Sequence, residues 1–485
     1  MNDKFGPINV EVSVRQIPEL PCELHENTLI HRVLAARGIL EAGELDLALG
    51  GLPRPDSLPN IELAVSRLLS ARNRSEKILI VGDYDCDGAT STSVAMLGLA
   101  MLGFDNLDYL IPNRFEHGYG LSPAIVDQAN QHHHPDLIVT VDNGVASVDG
   151  VAHAATLGID VVVTDHHLPP DELPSAVAIV NPNLKESTFL TGNLAGVGVI
   201  FYTLIALRAE LVKLSDPAAD APIADLLDLV AIGTVADVVP LDATNRILVE
   251  QGLRRIRGGK TRHGVLSLLS AAGCKTDVMS TQDIGFGIGP RLNAAGRLDD
   301  MRIGVECLMS ATKADADSLS QRLNSFNEQR RAIERDMRAT ADEQLASLSL
   351  EDLDQAGKFS ICLHDDDWHQ GVIGILAGRI KESLHRPVVV FTSDNDDEIK
   401  GSARSIPGVH IRDVLQSLAT QHPGMIEKFG GHAMAAGLTL KRQHLDEFKV
   451  AFEQTVRNAL NNELRVREYY TDGSLPSAQR TLSNA

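Results

Sequence analysis

Cysteine is scarce in this chain. Cys22, Cys86, Cys274, Cys307 and Cys362 are its five thiols, with no CxxC spacing among them. That pattern suits neither a disulfide framework nor a thiolate zinc site, so reduced, mostly buried thiols are expected. Long apolar runs are missing too. No stretch stays uncharged long enough to span a bilayer, and the opening MNDKFGPINVEVSV lacks the basic start and apolar core of a signal peptide. A soluble, cytoplasmic protein with no membrane partner is predicted. Basic charge is in deficit, with 44 Lys and Arg against 65 Asp and Glu and a net charge of −21. Nonspecific nucleic-acid affinity comes from cations neutralising phosphates, so any such contact must be a local basic channel.

What is present is a long, core-forming chain. Its 485 residues, 44% of them hydrophobic, predict two or three domains. Between about residues 76 and 240 the runs KILIVGD, DLIVTVD, DVVVTD and VAIVNP alternate with helical stretches such as ATSTSVAMLGLAMLG. This is the pattern of a parallel α/β sheet, which binds ligands at the carboxyl ends of its strands. Residues 195–260 read as mostly helical. Leu319, Leu323, Phe326, Ile333 and Met337 recur at helical spacing with no Pro or Gly, predicting one long connecting helix. A second, smaller α/β unit follows in FSICLHD, PVVVFT, EIKGSARS and GGHAMAAGLTL. The expected division is an N-terminal segment at 1–70, a first α/β domain at 71–312, the helix at 313–350, a second domain at 351–462, and a tail at 463–485 with one strand and then weak order.

Unusual polar residues fall where the strands end. Asp83, Asp85 and Asp87 alternate in VGDYDCDGATS; Asp142 follows a second run in VTVDNG; Asp165, His166 and His167 follow a third in VVTDHH; Asp237 sits inside the apolar LLDLVAIGTVADVVPL. The first acids alone could be a solvated cap on the helix starting near Ala89. As a set, carboxylates and imidazoles suit Mn²⁺ better than a Ca²⁺ cage or a thiolate zinc site. Like charges so close repel unless cations neutralise them. A paired-metal centre for phosphoester hydrolysis is expected. The spaced glycines of GFGIGPRLNAAG and AGVGVIF do not make a dinucleotide fingerprint, and there is no Walker A motif, so no nucleotide cofactor is expected.

DYDCDG, VDNG, TDHH and TVADVVPL resemble, in order, the four motifs of the DHH phosphoesterase superfamily. PNRFEHGYGL, GFGIGPRLNAAGRLDD, WHQGVIGILAGRI, KGSARS and GGHAMAAG resemble its RecJ branch, which carries a DHHA1 domain. The motifs cover about residues 75–460. The resemblance implies a metal-dependent 5′-to-3′ exonuclease on single-stranded DNA, working in repair and recombination beside a single-strand binding protein and a helicase. It implies two Mn²⁺ ions, with Mg²⁺ as the alternative, held by Asp83, Asp85, Asp87, Asp142, His166 and Asp237. Asp85, Asp142, His166 and His167 would act in catalysis, with the site between the two domains. Hydrolysis of short oligonucleotides or small phosphoesters, or a noncatalytic scaffold, are the rival readings. RecJ proteins usually continue into an OB-fold, and the sequence given ends at Ala485 where that fold would begin; weaker DNA affinity with metal chemistry retained is expected.

The resemblance also supplies a phosphate side. Arg114, Arg291, Ser402 and Arg404 would line a pocket for the terminal 5′ phosphate, with Asn293 and Arg297 as further substrate contacts. Gly430, Gly431 and His432 read either as a tight turn before a strand or as a nest of amides for a phosphate, with Gly431 and His432 the predicted contacts. Trp368 and His369 could stack on a base, though a lone Trp is as often core.

Overall fold

The computed structural model describes residues 10–20, 22–113, 120–346, 358–395, 397–461 and 466–475. The chain divides into two compact units, one of Gly43–Glu328 and one of Met1–Ala42 with Gln329–Ala485. The expected N-terminal segment of 1–70 is therefore split: its residues up to 42 group with the C-terminal part of the chain, and those from 43 on with the first α/β unit.

β1 (Val10–Val14) belongs to the second of these units. The first is built on a parallel sheet of β2 (Ile78–Val81), β3 (Leu107–Leu110), β4 (Leu137–Val141), β5 (Asp160–Thr164) and β6 (Ala178–Val180), in the order β3-β2-β4-β5-β6. Its central strands are buried and mostly apolar, apart from the exposed Asp160 that opens β5, because both faces are covered. Ile78, Ile80, Val139, Val141 and Val162 point into one core, shared with the helices Ile61–Asn73, Cys86–Met101 and Gly196–Lys213. Leu79, Val81, Ile138, Val161 and Val163 point into another, under the helices Pro123–His132 and Val148–Thr156. The helices Leu227–Ala236, Ala243–Arg257, His263–Ala272, Gly289–Leu298 and Arg302–Met309 also belong to this unit. Such a doubly covered sheet leaves its carboxyl edge as the place where loops and helix starts converge.

In the other unit a mixed sheet runs β10-β11-β9-β8-β7, from β7 (Ile361–His364), β8 (Val388–Ser393), β9 (Glu398–Arg404), β10 (Ile426–Gly431) and β11 (Ala435–Lys441). Val389, Phe391, Ile399 and Ala403 face a core with the helices Ile411–Gln421 and Leu445–Ala459. Ile361, Leu363, Val388 and Val390 face the helix Ile373–Leu384 and Met337, Ala341 and Leu345. Those last three lie on the long helix Lys313–Ala346, which runs through the residues where the predicted connecting helix stood. β1 pairs in parallel with β12 (Arg467–Thr471), the strand expected in the tail; 476–485 lie outside the described residues.

Of the two readings of Trp368, the core one holds: it is only 5% exposed and packs with Leu363, Val372 and Leu376, so its ring offers no face to a base. The expectation of mostly buried thiols needs correction. Of the five thiols, all free, only Cys86 and Cys307 are buried; Cys274 and Cys362 are partly covered and Cys22 is exposed.

Candidate metal centre

Three neighbouring parallel strands deliver the acidic loops to one edge. Asp83 lies just past β2, Asp142 directly follows β4, and Asp165 directly follows β5. Backbone donors at helix starts fix the first of these loops. Asp85 is the N-cap of the Cys86–Met101 helix, accepting from the Gly88 amide at 2.9 Å. Asp87, in the first turn of that helix, is buried; its carboxylate accepts from the amides of Gly196 at 2.6 Å and Val197 at 3.0 Å, the start of another helix. Asp237 caps the C-terminus of Leu227–Ala236.

These residues meet. Single ligand atoms of Asp83, Asp85 and Asp142, of Asp142, His166 and His167, and of Asp87, His166 and Asp237 lie within 4.8 Å of one another. Asp142 and His166 each belong to two of the triads. His166 Nε2 stands 3.2 Å from Asp142 Oδ1 and 3.6 Å from Asp237 Oδ2. Oxygen and imidazole donors with overlapping triads fit two hard divalent cations.

The electrostatics point the same way. Burial, then the charges of Asp87, Asp85 and Asp83, pushes the Asp142 carboxyl well above the usual carboxylate range. Burial and Asp85 raise Asp87 to about 7, and burial with Asp87 and Asp85 raises Asp237 to about 8. Carboxylates gathered out of water this closely cannot all ionise without a cation among them.

Asp165 plays a different part from its neighbours. Its Oδ1 accepts from the His166 amide at 2.7 Å, the His167 amide at 3.1 Å and His167 Nδ1 at 2.7 Å, and its Oδ2 accepts from Val145 N at 2.8 Å. Burial opposes its ionisation, but these bonds prevail and hold its pKa below the ordinary value. Burial likewise opposes charge on His167, yet the bond to Asp165 and the surrounding carboxylates raise it to about 9. With Nδ1 donating to Asp165, Nε2 is the nitrogen that carries the lone pair in the neutral ring. This is the carboxylate–histidine arrangement that orients metal ligands.

Two backbone features mark the site as strained. Asp142 has φ 62° and Val238, directly after Asp237, has φ 65°. A β-branched residue in the left-handed region is a real outlier, of the kind that clusters at functional sites. The π-helical turn Ile284–Ile288 packs against the Leu227–Ala236 helix, and such turns are frequent at functional sites.

The comparisons with known proteins now bear on this geometry. Residues 77–234 match the DHH family, N-terminal domain, and residues 356–458 match the DHHA1 domain. The chain is 48% identical over 96% of its length to the single-stranded-DNA-specific exonuclease RecJ of Salmonella typhimurium, covering 81% of that protein. It is 47% identical over 97% of its length to the RecJ of Escherichia coli, covering 82%. The chain belongs to the RecJ family of single-stranded-DNA-specific exonucleases. The crystal structure of RecJ in complex with Mn²⁺ from Thermus thermophilus superposes with a TM-score of 0.80 at 29% identity, over 98% of this chain and 66% of that one. No described helix is long and apolar enough to cross a membrane.

Against the RecJ pattern, the predicted phosphate residues fall in different settings. Arg114 lies outside the described residues. Arg291 donates to Asn324 Oδ1 at 3.0 Å, Gly287 O at 2.8 Å and Ala271 O at 3.0 Å, bonds that tie the π turn to its surroundings. Asn293 accepts from the Cys86 amide at 2.8 Å, in the middle of the DYDCDG loop. On the same helix a Cβ on Gly296 would stand 1.8 Å from Tyr84 O, so this helix buttresses the metal loop by direct contact. Arg297 is partly buried in its last turn. In the other unit, Arg404 Nη1 donates to Ser402 Oγ at 3.1 Å on β9. Gly431 has φ 146° in the β10–β11 turn, where the exposed His432 donates its amide to Ala435 O at 2.7 Å.

Several contributors escaped the sequence reading. Asn181 and Asn183, at the end of β6, donate to His167 O at 2.9 Å and His166 O at 2.6 Å, gripping the DHH loop. Gly196, in a glycine segment dismissed as no nucleotide motif, serves two ligands. Its amide binds Asp87, and a Cβ on it would stand 2.5 Å from Asp142 Oδ1. Glycine at the first residue of a helix beside an acidic strand end was the available signal.

Proposed function

We propose that this chain hydrolyses the phosphodiester bonds of single-stranded DNA from the 5′ end, using divalent cations. The observation that carries the reading is the convergence of Asp83, Asp85, Asp87, Asp142, His166, His167 and Asp237 at the carboxyl edge of one parallel sheet in a RecJ-family chain. The cations, Mn²⁺ or Mg²⁺, would polarise the phosphoryl oxygen, lower the pKa of the attacking water and stabilise the leaving oxygen.

The chain's own residues do the rest. Asp83, Asp85, Asp87, Asp142, His166 and Asp237 would hold the cations, with Asp85, Asp142 and His166 acting in catalysis. His167, oriented by Asp165, lies beside them as a further ligand or a phosphate contact, and can take or give a proton there. Arg297 contributes charge near the metal loop. Arg114, Ser402 and Arg404 bind the terminal phosphate, and Gly431 and His432 a further one. Arg291 and Asn293, whose bonds run inward, are assigned to holding the site rather than the strand. Repair and recombination, beside a single-strand binding protein and a helicase, is the proposed setting, in the cytoplasm.

Digestion of 5′-labelled and 3′-labelled single-stranded DNA in Mn²⁺, alongside a dinucleotide, tests the reading. Release of mononucleotides from the 5′ end of the long strand supports it. Activity on the dinucleotide alone would replace it with a small-phosphoester hydrolase.

A further inference from the structure

The alternation of β9 puts Lys400, Ser402 and Arg404 on one face and Ile399 and Ala403 on the other, in the core. Ser402 and Arg404 stand opposite Val390 and Val388 of β8, on the face covered by the Ile373–Leu384 helix. Arg404 Nη1 is held by Ser402 Oγ at 3.1 Å and Ala403 O at 2.8 Å.

Directly above lies Gly374, the second residue of that helix. A Cβ built on it would stand 2.8 Å from Arg404 Nη2 and 3.0 Å from Ser402 Oγ. Gly374 is not among the positive-φ glycines, so its backbone makes no demand for glycine. In a helix, glycine is less favourable than alanine. What the bare position provides is room for a hydroxyl and a guanidinium to sit close under the helix. A guanidinium fork beside a hydroxyl is a donor pair suited to a phosphate.

We propose that Gly374 is a specificity-determining residue, whose missing side chain sets the position of Arg404 and Ser402 and so the preference for a 5′-phosphorylated strand end. This rests on reading Ser402 and Arg404 as the terminal-phosphate contacts. The atoms a methyl group would displace are side-chain ends, so Gly374→Ala moves the guanidinium without unfolding the helix. Gly378, one turn on in the same helix, has nothing within 4 Å of its built Cβ and supplies a matched control.

The test compares two oligonucleotides that differ only in a 5′ phosphate or a 5′ hydroxyl. Cleavage is measured in Mn²⁺, and equilibrium binding is measured in EDTA, where no cleavage occurs. Wild type and Gly378→Ala should prefer the phosphate end. Gly374→Ala should lose about tenfold of that preference, in KM and in binding more than in kcat, with a melting temperature no lower than that of wild type. The inference is overturned if Gly374→Ala keeps the wild-type preference, or loses binding equally for both ends. A wild type indifferent to the end overturns the terminal-phosphate reading itself, and the inference with it.

Discussion

A side chain on Gly196 would stand 2.5 Å from Asp142 Oδ1 and 2.8 Å from Asp142 Cα. The second of these atoms is backbone, so the clash cannot be relieved by a rotamer change. Gly196→Ala should therefore cost about 1–3 kcal/mol of stability through overpacking. It should also lower activity roughly 100-fold, because displacing a ligand by a fraction of an ångström misplaces the reacting groups. Thermal denaturation and exonuclease rates check this. A stable, fully active variant would mean that Asp142 is not held as described.

Asp165→Asn keeps the shape of the carboxylate but not its charge. The amide oxygen can still accept from His167 Nδ1, but the ring loses the negative charge that holds its proton, and the new NH2 group faces the Val145 amide that the carboxylate accepted from. Outer partners of metal-bound histidines are worth about 10–100-fold in affinity. Mn²⁺ titration calorimetry should show a loss of that order, whereas unchanged affinity would remove His167 from the metal shell.

The metal-free protein should lose stability as pH rises. Asp87 at about 7, Asp237 at about 8 and Asp142 well above its ordinary value keep protons that the unfolded chain gives up near pH 4, mainly because of burial and then neighbouring carboxylates. Between about pH 4 and 8 the folded state thus binds more protons than the unfolded state, and its stability falls with pH. Mn²⁺ cancels the repulsion. Its thermal shift should be larger at pH 8 than at pH 6; equal shifts would contradict the crowding.

Asn293→Ala separates two roles. Loss of the acceptor for the Cys86 amide should cost about 1–3 kcal/mol and loosen the DYDCDG loop, weakening Mn²⁺ binding. If Asn293 instead contacts the DNA, Mn²⁺ affinity will hold and KM for the strand will rise.

The strands most legible in the sequence, β2, β4, β5 and β6, are those whose every residue is buried apart from the exposed Asp160 at the start of β5. β3 escaped because LDYL is a half-buried edge strand carrying a charge at Asp108. Acids at strand ends were legible as ligands because the parallel sheet dictates where strand ends go. Asp165 resembled a further ligand or a cap; only the geometry shows it bound to three amides and an imidazole. Gly196, Asn181 and Asn183 were invisible because their roles depend on which loop they face. Trp368 stays open between base and core in the sequence, since its polar loop does not say which way the ring turns.

The most direct test of the account is Mn²⁺ titration of the wild-type chain and Asp142→Ala, with release of nucleotide from 5′-labelled single-stranded DNA followed on the same samples. The account predicts two Mn²⁺ equivalents in the wild type, and loss of both high-affinity binding and nucleotide release in Asp142→Ala. Nucleotide release that persists in Asp142→Ala, or in EDTA, would contradict it.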